Sequence, residues 1–190
     1  GEVFAGVLAL ADQPREETPK ALSALKEMGV KQLVMLTGDN SRVAKAMADT
    51  VGLTDFRADL MPEQKVDAIK ELLEKYGQVA MVGDGVNDAP AIANATVGIA
   101  MGAGGTDVAL ETGDVALMSD DLSRLPFAVA LSRQSKRIIR QNLFISLGVI
   151  ALLMPATLLG LANIAVAVIF HEGSTLVVVG NALRLLRFRS

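Results

Sequence analysis

The sequence has no cysteine and a single histidine, His171, and between Gln141 and Leu183 it has almost no charge. Each shortage excludes something. Without thiols the chain holds neither a disulfide framework nor a thiolate metal site of its own, which fits a reducing compartment for the part that meets water. The N-terminal stretch GEVFAGVLALADQPREE lacks a basic region followed by a long apolar one, so it is not a signal peptide. A net charge of −3 leaves no basic excess to attract nucleic acid.

The apolar residues that are present, 51% of 190, are unevenly spread. Up to Arg140, charged and apolar residues alternate as in a water-soluble domain. From Gln141 to Leu183 the only ionisable side chains are His171 and Glu172. The expected division is an α/β domain over 1–121, a basic connecting helix over 122–140 and a membrane hairpin over 141–190. Within the hairpin, Leu143 to Leu161 and Ile164 to Leu183 each approach the roughly 20 residues a helix needs to cross a bilayer. Lys136, Arg137 and Arg140 precede the first span and Arg184, Arg187 and Arg189 follow the second, while the turn near Ala162 and Asn163 is uncharged. Basic flanks at both ends place both on the cytoplasmic side, with the bilayer as a partner. Pro155 is compatible with spanning, because neighbouring helices can satisfy the carbonyl it frees.

Upstream, short apolar runs alternate with amphipathic ones. Strands are expected over Val3 to Ala11, Gln32 to Leu36 and Val79 to Val82, and helices over Glu17 to Met28, Ser41 to Val51 and Glu63 to Tyr76. This pattern reads as a doubly wound parallel sheet, whose ligands gather at the carboxyl ends of its strands. Three polar clusters fall there.

Thr37-Gly38-Asp39-Asn40 follows the strand QLVML; a hydroxyl and free backbone N–H groups at a helix start could hold a phosphoryl oxygen, although Thr or Asn there is also an ordinary helix cap. Met61-Pro62-Glu63-Gln64-Lys65 opens a helix with Lys65 one turn in. That lysine could neutralise a transferring phosphoryl group, or be a solvated surface residue. Gly83-Asp84-Gly85-Val86-Asn87-Asp88-Ala89-Pro90 is more specific, since glycines allow a tight turn and Asp84 and Asp88 offer the hard oxygens that Mg²⁺ takes together with phosphate.

In this order the clusters resemble the haloacid dehalogenase superfamily, and TGDN, PEQK and GDGVNDAP together resemble the phosphorylation domain of P-type ATPases. The continuation GTDVALETGDVALMSDDL, the basic helix and the hairpin are similar to that family as well. The resemblance implies that Thr37 (with Gly38) and Lys65 contact the phosphoryl group, that Asp84 and Asp88 surround Mg²⁺, that Asn87 orders the same site and that Asp39 supports the hinge and phosphate loop. Asp12-Gln13-Pro14-Arg15 is similar to the family's Asp-Pro-Pro-Arg segment at the hinge to the nucleotide domain, where ATP is the substrate. Leu122 to Arg140 would transmit movement to the hairpin.

The family's Asp-Lys-Thr-Gly-Thr and Thr-Gly-Glu motifs are absent. The chain therefore looks like the C-terminal portion of a longer pump, expected to be inactive alone, with the actuator, nucleotide domain and other spans as partners. Two other readings stay open. In one, Asp12 is the nucleophile of a small membrane-anchored phosphatase, although the acid usual two residues later is Pro14; in the other, the chain is a non-catalytic membrane module.

His171-Glu172-Gly173-Ser174-Thr175 resembles the motif of the cobalt- and zinc-exporting heavy-metal branch. An imidazole and a carboxylate suit borderline cations such as Zn²⁺ and Co²⁺. Adjacent helical residues point about 100° apart, so both reach one ion only with help. Gly173 permits local unwinding or the close approach of another helix, and Thr175 shares a face with the pair. His171, Glu172 and Thr175 are the expected ligands of the transported ion; the alternative is polar glue between helices. Asn181 is placed to bond across helices and is assigned no role.

Overall fold

The computed structural model describes residues 14–53, 55–83, 87–102, 112–119 and 121–188. The strand expected over Val3 to Ala11 lies outside them. Packing divides the chain between Leu125 and Pro126 into two compact units.

The first unit alternates helices and short parallel strands. Helix α1 (Thr18–Glu27) carries Pro19 in its first turn and buries Ala21 and Leu25, one helical turn apart. Strand β1 (Val34–Leu36) pairs in parallel with β2 (Asp55–Arg57), Val34 opposite Asp55 and Leu36 opposite Arg57. Between them runs α2 (Ser41–Val51), which buries Ala44, Ala48 and Val51 along one stripe. Its start is fixed by the Asn40 side chain, which accepts from the N–H groups of Arg42 and Val43, and its end by Gly52 in the left-handed region at φ 75°.

Helix α3 (Pro62–Tyr76) leads into β3 (Ala80–Gly83), α4 (Ala89–Asn94), β4 (Val97–Met101) and β5 (Val115–Leu117). The three strands form a second parallel ladder in the order β3-β4-β5. Ile69, Met81, Ala91 and Ile92 make the core, with Leu36, Val66, Leu73 and Val79 packed against it, so α3, α4, β1 and β3 share one apolar centre. This is the haloacid dehalogenase-like parallel architecture. Strands β2, β4 and β5 and helix α4 were not expected from the sequence pattern.

Gly98, in β4, lies against α4 so tightly that a Cβ there would stand 2.5 Å from the Ile92 Cγ2 and 2.8 Å from the Ile92 carbonyl oxygen. The carbonyl belongs to the backbone and cannot swing aside. Gly98→Ala is expected to destabilise the unit by about 1–3 kcal/mol, read as earlier thermal loss of far-UV circular dichroism.

Helix α5 (Arg124–Leu158) is preceded by Asp121, whose carboxylate accepts from the Ser123 hydroxyl at 2.7 Å and the Ser123 N–H at 2.8 Å. These two bonds, aided by the charges of Arg124 and Arg15, hold Asp121 below its ordinary pKa. The native value is the lower one, so the contribution is complete above the usual carboxylate range, about pH 4, and is lost as pH falls through the native value. Protection of the Ser123 amide, its hydrogen exchange taken relative to the intrinsic rate at the same pH, should hold to that point and fall below it.

In the second unit α5 runs unbroken through Pro155, and the Thr157 hydroxyl donates to the Leu153 carbonyl. A turn then leads to α6 (Ile164–Ala182), capped by the Asn163 side chain accepting from the Val166 N–H, and a 3₁₀ turn over Leu183–Arg187 ends the described chain. α5 is 35 residues long, and α6 with its 3₁₀ extension covers 24. No residue of α6 is buried, and Leu158, Leu161 and Ile164 are each about four-fifths exposed. Helices apolar all round and uncovered by protein suit lipid rather than water. Asn181 joins them, donating to Asn142 Oδ1 at 2.8 Å and Gln141 Oε1 at 3.2 Å, while Arg184 donates to Asn181 Oδ1 at 2.8 Å.

Candidate functional site

The end of β1 turns sharply at Thr37. Its N–H donates to the Arg57 carbonyl, which continues the ladder, and its own carbonyl accepts from Leu60 N–H at 3.1 Å. The Thr37 hydroxyl donates to Asp39 Oδ2 at 3.0 Å and accepts from the Asp39 N–H at 3.1 Å. Asp39 in turn accepts on its carbonyl from Asp59 N–H at 2.8 Å, where Asp59 takes a left-handed φ of 57°. A side chain at Gly38 would press on the Leu60 carbonyl at 3.3 Å. Two loops distant in sequence are thereby stitched together: the one after β1 and the one that opens α3. Asn40 serves as the cap of α2.

Lys65 stands in the first turn of α3. Pro62 supplies the φ of that turn, the Gln64 side chain accepts from the Met61 N–H at 2.7 Å, and Lys65 N–H donates to the Met61 carbonyl. Its Nζ lies 2.6 Å from Oδ1 of Asp88, which sits just ahead of α4. Both side chains are largely shielded, at 15% and 16% exposure, so this pair is far less weakened by water than a surface ion pair. Gly83, the last residue of β3, has no room for a Cβ, which would fall 2.7 Å from Asp88 Oδ2. The glycine's use here is close approach.

Of the expected residues, Lys65 and Asp88 meet directly, while Thr37 is linked to the loop ahead of α3 through the Leu60 N–H. Asn87 is exposed beside Asp88. Asp12 and Asp84 lie outside the described residues. Arg15 precedes α1, where its carbonyl accepts from Thr18 N–H, and its charge reaches Asp121. For Mg²⁺ the donor set is suitable. Asp88 presents a hard carboxylate, one oxygen of which is engaged by the Lys65 ammonium, and Mg²⁺ commonly needs only one or two carboxylates beside phosphate oxygens.

In the hairpin, α6 continues unbroken through Gly173, with no unwinding there. There the His171 carbonyl accepts from both Ser174 Oγ at 2.7 Å and Thr175 Oγ1 at 3.2 Å, back-bonds onto the preceding turn that the helix accommodates without breaking. A Cβ on Gly173 would meet nothing within 4 Å, leaving that face open. His171 and Glu172 project from adjacent positions. Among the described residues no group of three or more acidic, cysteine or histidine side chains surrounds a point.

Sequence reasoning missed the partners of Asn181, and it missed Asp114, whose carboxylate accepts from Gly98 N–H at 2.8 Å and steadies β4. An acid directly after Gly113 and just ahead of β5 carries no signal of so distant a partner.

A family model described as haloacid dehalogenase-like hydrolase matches residues 3–96. The cadmium-transporting ATPase of Staphylococcus aureus is 47% identical over 184 residues, 97% of this chain and 25% of that protein. The zinc-transporting ATPase of Bacillus subtilis (strain 168) is 51% identical over 184 residues, 97% of this chain and 29% of its own length. A crystal structure of a zinc-transporting PIB-type ATPase in the E2.Pi state superposes with a TM-score of 0.85 at 46% identity, covering 93% of this chain and 28% of that one. The chain spans a little over a quarter of the length of these relatives. The two apolar helices are membrane spans and the α/β unit is cytoplasmic, on the side of the basic flanks. Nearly its whole length, from α/β core to membrane hairpin, is shared with metal-transporting relatives, and the chain belongs to the heavy-metal P-type ATPases.

Proposed function

We propose that this chain is part of an ATP-driven pump for a divalent transition metal, working through an aspartyl phosphate that forms on a segment beyond it. The observation that carries the reading is the shielded Lys65–Asp88 pair, which joins residues 23 apart in sequence at the end of β3. Phosphoryl transfer asks little of a protein beyond positioning and charge neutralisation. Thr37 and the backbone N–H groups around Gly38 would hold phosphoryl oxygens, with Asp39 orienting the hydroxyl. Lys65 would turn from Asp88 toward the arriving phosphoryl group. Asp88, with Asp84, would hold Mg²⁺, which when bound neutralises phosphate charge, and Asn87 would order the same site. Asp12 and Arg15 belong to the hinge through which ATP reaches the site.

His171 and Glu172 would bind or release the cargo, with Thr175 on the same face. Zn²⁺ and Cd²⁺ fit the relatives and the borderline donor set, and Co²⁺ fits the same ligands. The complete polypeptide in sealed vesicles should show Zn²⁺- or Cd²⁺-stimulated ATP hydrolysis with an acid-stable phosphoenzyme. Hydrolysis indifferent to every divalent transition metal would overturn the reading. Phosphate release from a simple phosphomonoester by the 190-residue chain alone, abolished by Asp12→Asn, would support a phosphatase instead.

A further inference from the structure

We infer that the cytoplasmic mouth of the hairpin is a binding site for an anionic phospholipid, with the phosphate at Arg184 and an acyl chain in the groove between α5 and α6. The groove measures about 410 Å³ and is lined by Gln141, Phe144, Ile145, Val177, Asn181 and Arg184. Its surface is almost wholly apolar, from Phe144, Ile145 and Val177, and the Gln141 and Asn181 amides and the Arg184 guanidinium border it at one end. The amides are engaged with each other, since Asn181 donates to Gln141 and Asn142. Arg184 donates one N–H to Asn181 Oδ1, which aims the guanidinium at the groove and leaves most of its five donors for an anion.

Charge complementarity decides the occupant. Lys136, Arg137, Arg140, Arg184 and Arg187 all lie near this end of the hairpin, and from Pro126 onward the sole acid is Glu172. Twelve residues of helix separate Glu172 from Arg184, about 18 Å, too far to pair. Within the hairpin unit the mouth is therefore a positive centre with no acid near it in sequence, beside an apolar slot, at the level where charge first returns to the sequence. A transmembrane helix would fill the slot but seldom brings a carboxylate with it. Inorganic phosphate would meet the charge and leave the slot open. A phospholipid with net negative charge satisfies both halves, and basic residues at a cytoplasmic leaflet attract such lipids. The inference needs only that the hairpin spans a bilayer, and it stands apart from the nature of the cargo.

The test uses the full-length polypeptide in nanodiscs of phosphatidylcholine containing a minor fraction of phosphatidylglycerol. Native mass spectrometry should show phosphatidylglycerol retained in preference to phosphatidylcholine, with retention reduced about fivefold by Arg184→Gln and restored by Arg184→Lys. A phosphatidylglycerol carrying a photoreactive acyl chain should label the peptides containing Phe144, Ile145 and Val177 in the unaltered protein, a readout independent of whether any variant folds. Equal retention of the two lipids, retention unmoved by Arg184→Gln, or labelling elsewhere because another span fills the groove, would each overturn the inference.

Discussion

Asp88→Asn in the complete pump is expected to lower metal-stimulated ATP hydrolysis by about 100-fold or more, the scale seen when a single group stabilising transition-state charge is removed. The change keeps the shape of the side chain and removes only its charge. Two consequences are expected. On the proposed assignment Mg²⁺ would lose an oxygen donor, and Lys65, largely shielded from water and 2.6 Å from Asp88, loses the partner that compensates it. The second effect costs stability as well as rate, though less than the roughly 3–5 kcal/mol of a fully buried pair, because both side chains keep some exposure. A double variant with Lys65→Gln separates the two. Stability should be largely recovered, since neither charge is then left alone, whereas hydrolysis should stay low, since both the Mg²⁺ donor and the phosphoryl-binding charge are gone. Activity of Asp88→Asn close to that of the unaltered pump would remove Asp88 from the site.

Glu172→Gln and His171→Ala should each reduce ATP hydrolysis to the level seen without metal, while phosphorylation by inorganic phosphate in the reverse direction persists. The two halves of this outcome test different parts of the molecule. Loss of the forward reaction would mean that cargo no longer engages α6; survival of the reverse reaction would mean that the proposed phosphoryl site, with Thr37, Lys65 and Asp88, is intact. Glu172→Gln is the more telling change, because removing a charge from the middle of a span eases rather than hinders insertion. A stable, inserted protein that no longer responds to Zn²⁺ or Cd²⁺ therefore reports a ligand, not a folding defect. Full metal stimulation in both variants would leave the pair as interhelical polar contacts only.

The long elements were legible in the sequence because their apolar spacing is regular and their ends are marked. α2 was bounded correctly at Ser41 and Val51 by Asn40 before it and Gly52 after it, and α3 began one residue earlier than expected, on Pro62 itself. Among the short elements, β1 and β3 were legible because each lies in an apolar run followed by a polar loop, whereas β2, β4, β5 and α4 were not: β2 and β5 have three residues each and α4 spans only Ala89–Asn94. Their existence depends on neighbours: β4 pairs on both edges, and α4 packs onto Gly98. In the site, residue types and loop positions could be read, but the Lys65–Asp88 pairing could not, because nothing local links residues 23 apart. Gly173 suggested unwinding, yet α6 runs helical through it, with the hydroxyls of Ser174 and Thr175 bonded back to the His171 carbonyl. Asn181 was visible as an amide in an apolar run, but its partners on α5 were not.

The amide bridge from Asn181 to Gln141 and Asn142 bears on how the hairpin enters the bilayer during synthesis. The apolar stretch of α5 emerges first and carries no charge beyond Arg140. α6 follows with an imidazole and a carboxylate near its centre, which makes it the poorer substrate for insertion by a few kcal/mol. The bridge lies at the far end of α6 and forms only once the second helix has doubled back alongside the first, where it adds an interhelical contact that hydrocarbon cannot replace. The helix whose polar pair resists the lipid is thus secured, as its last turn leaves the ribosome, by the helix that entered without resistance.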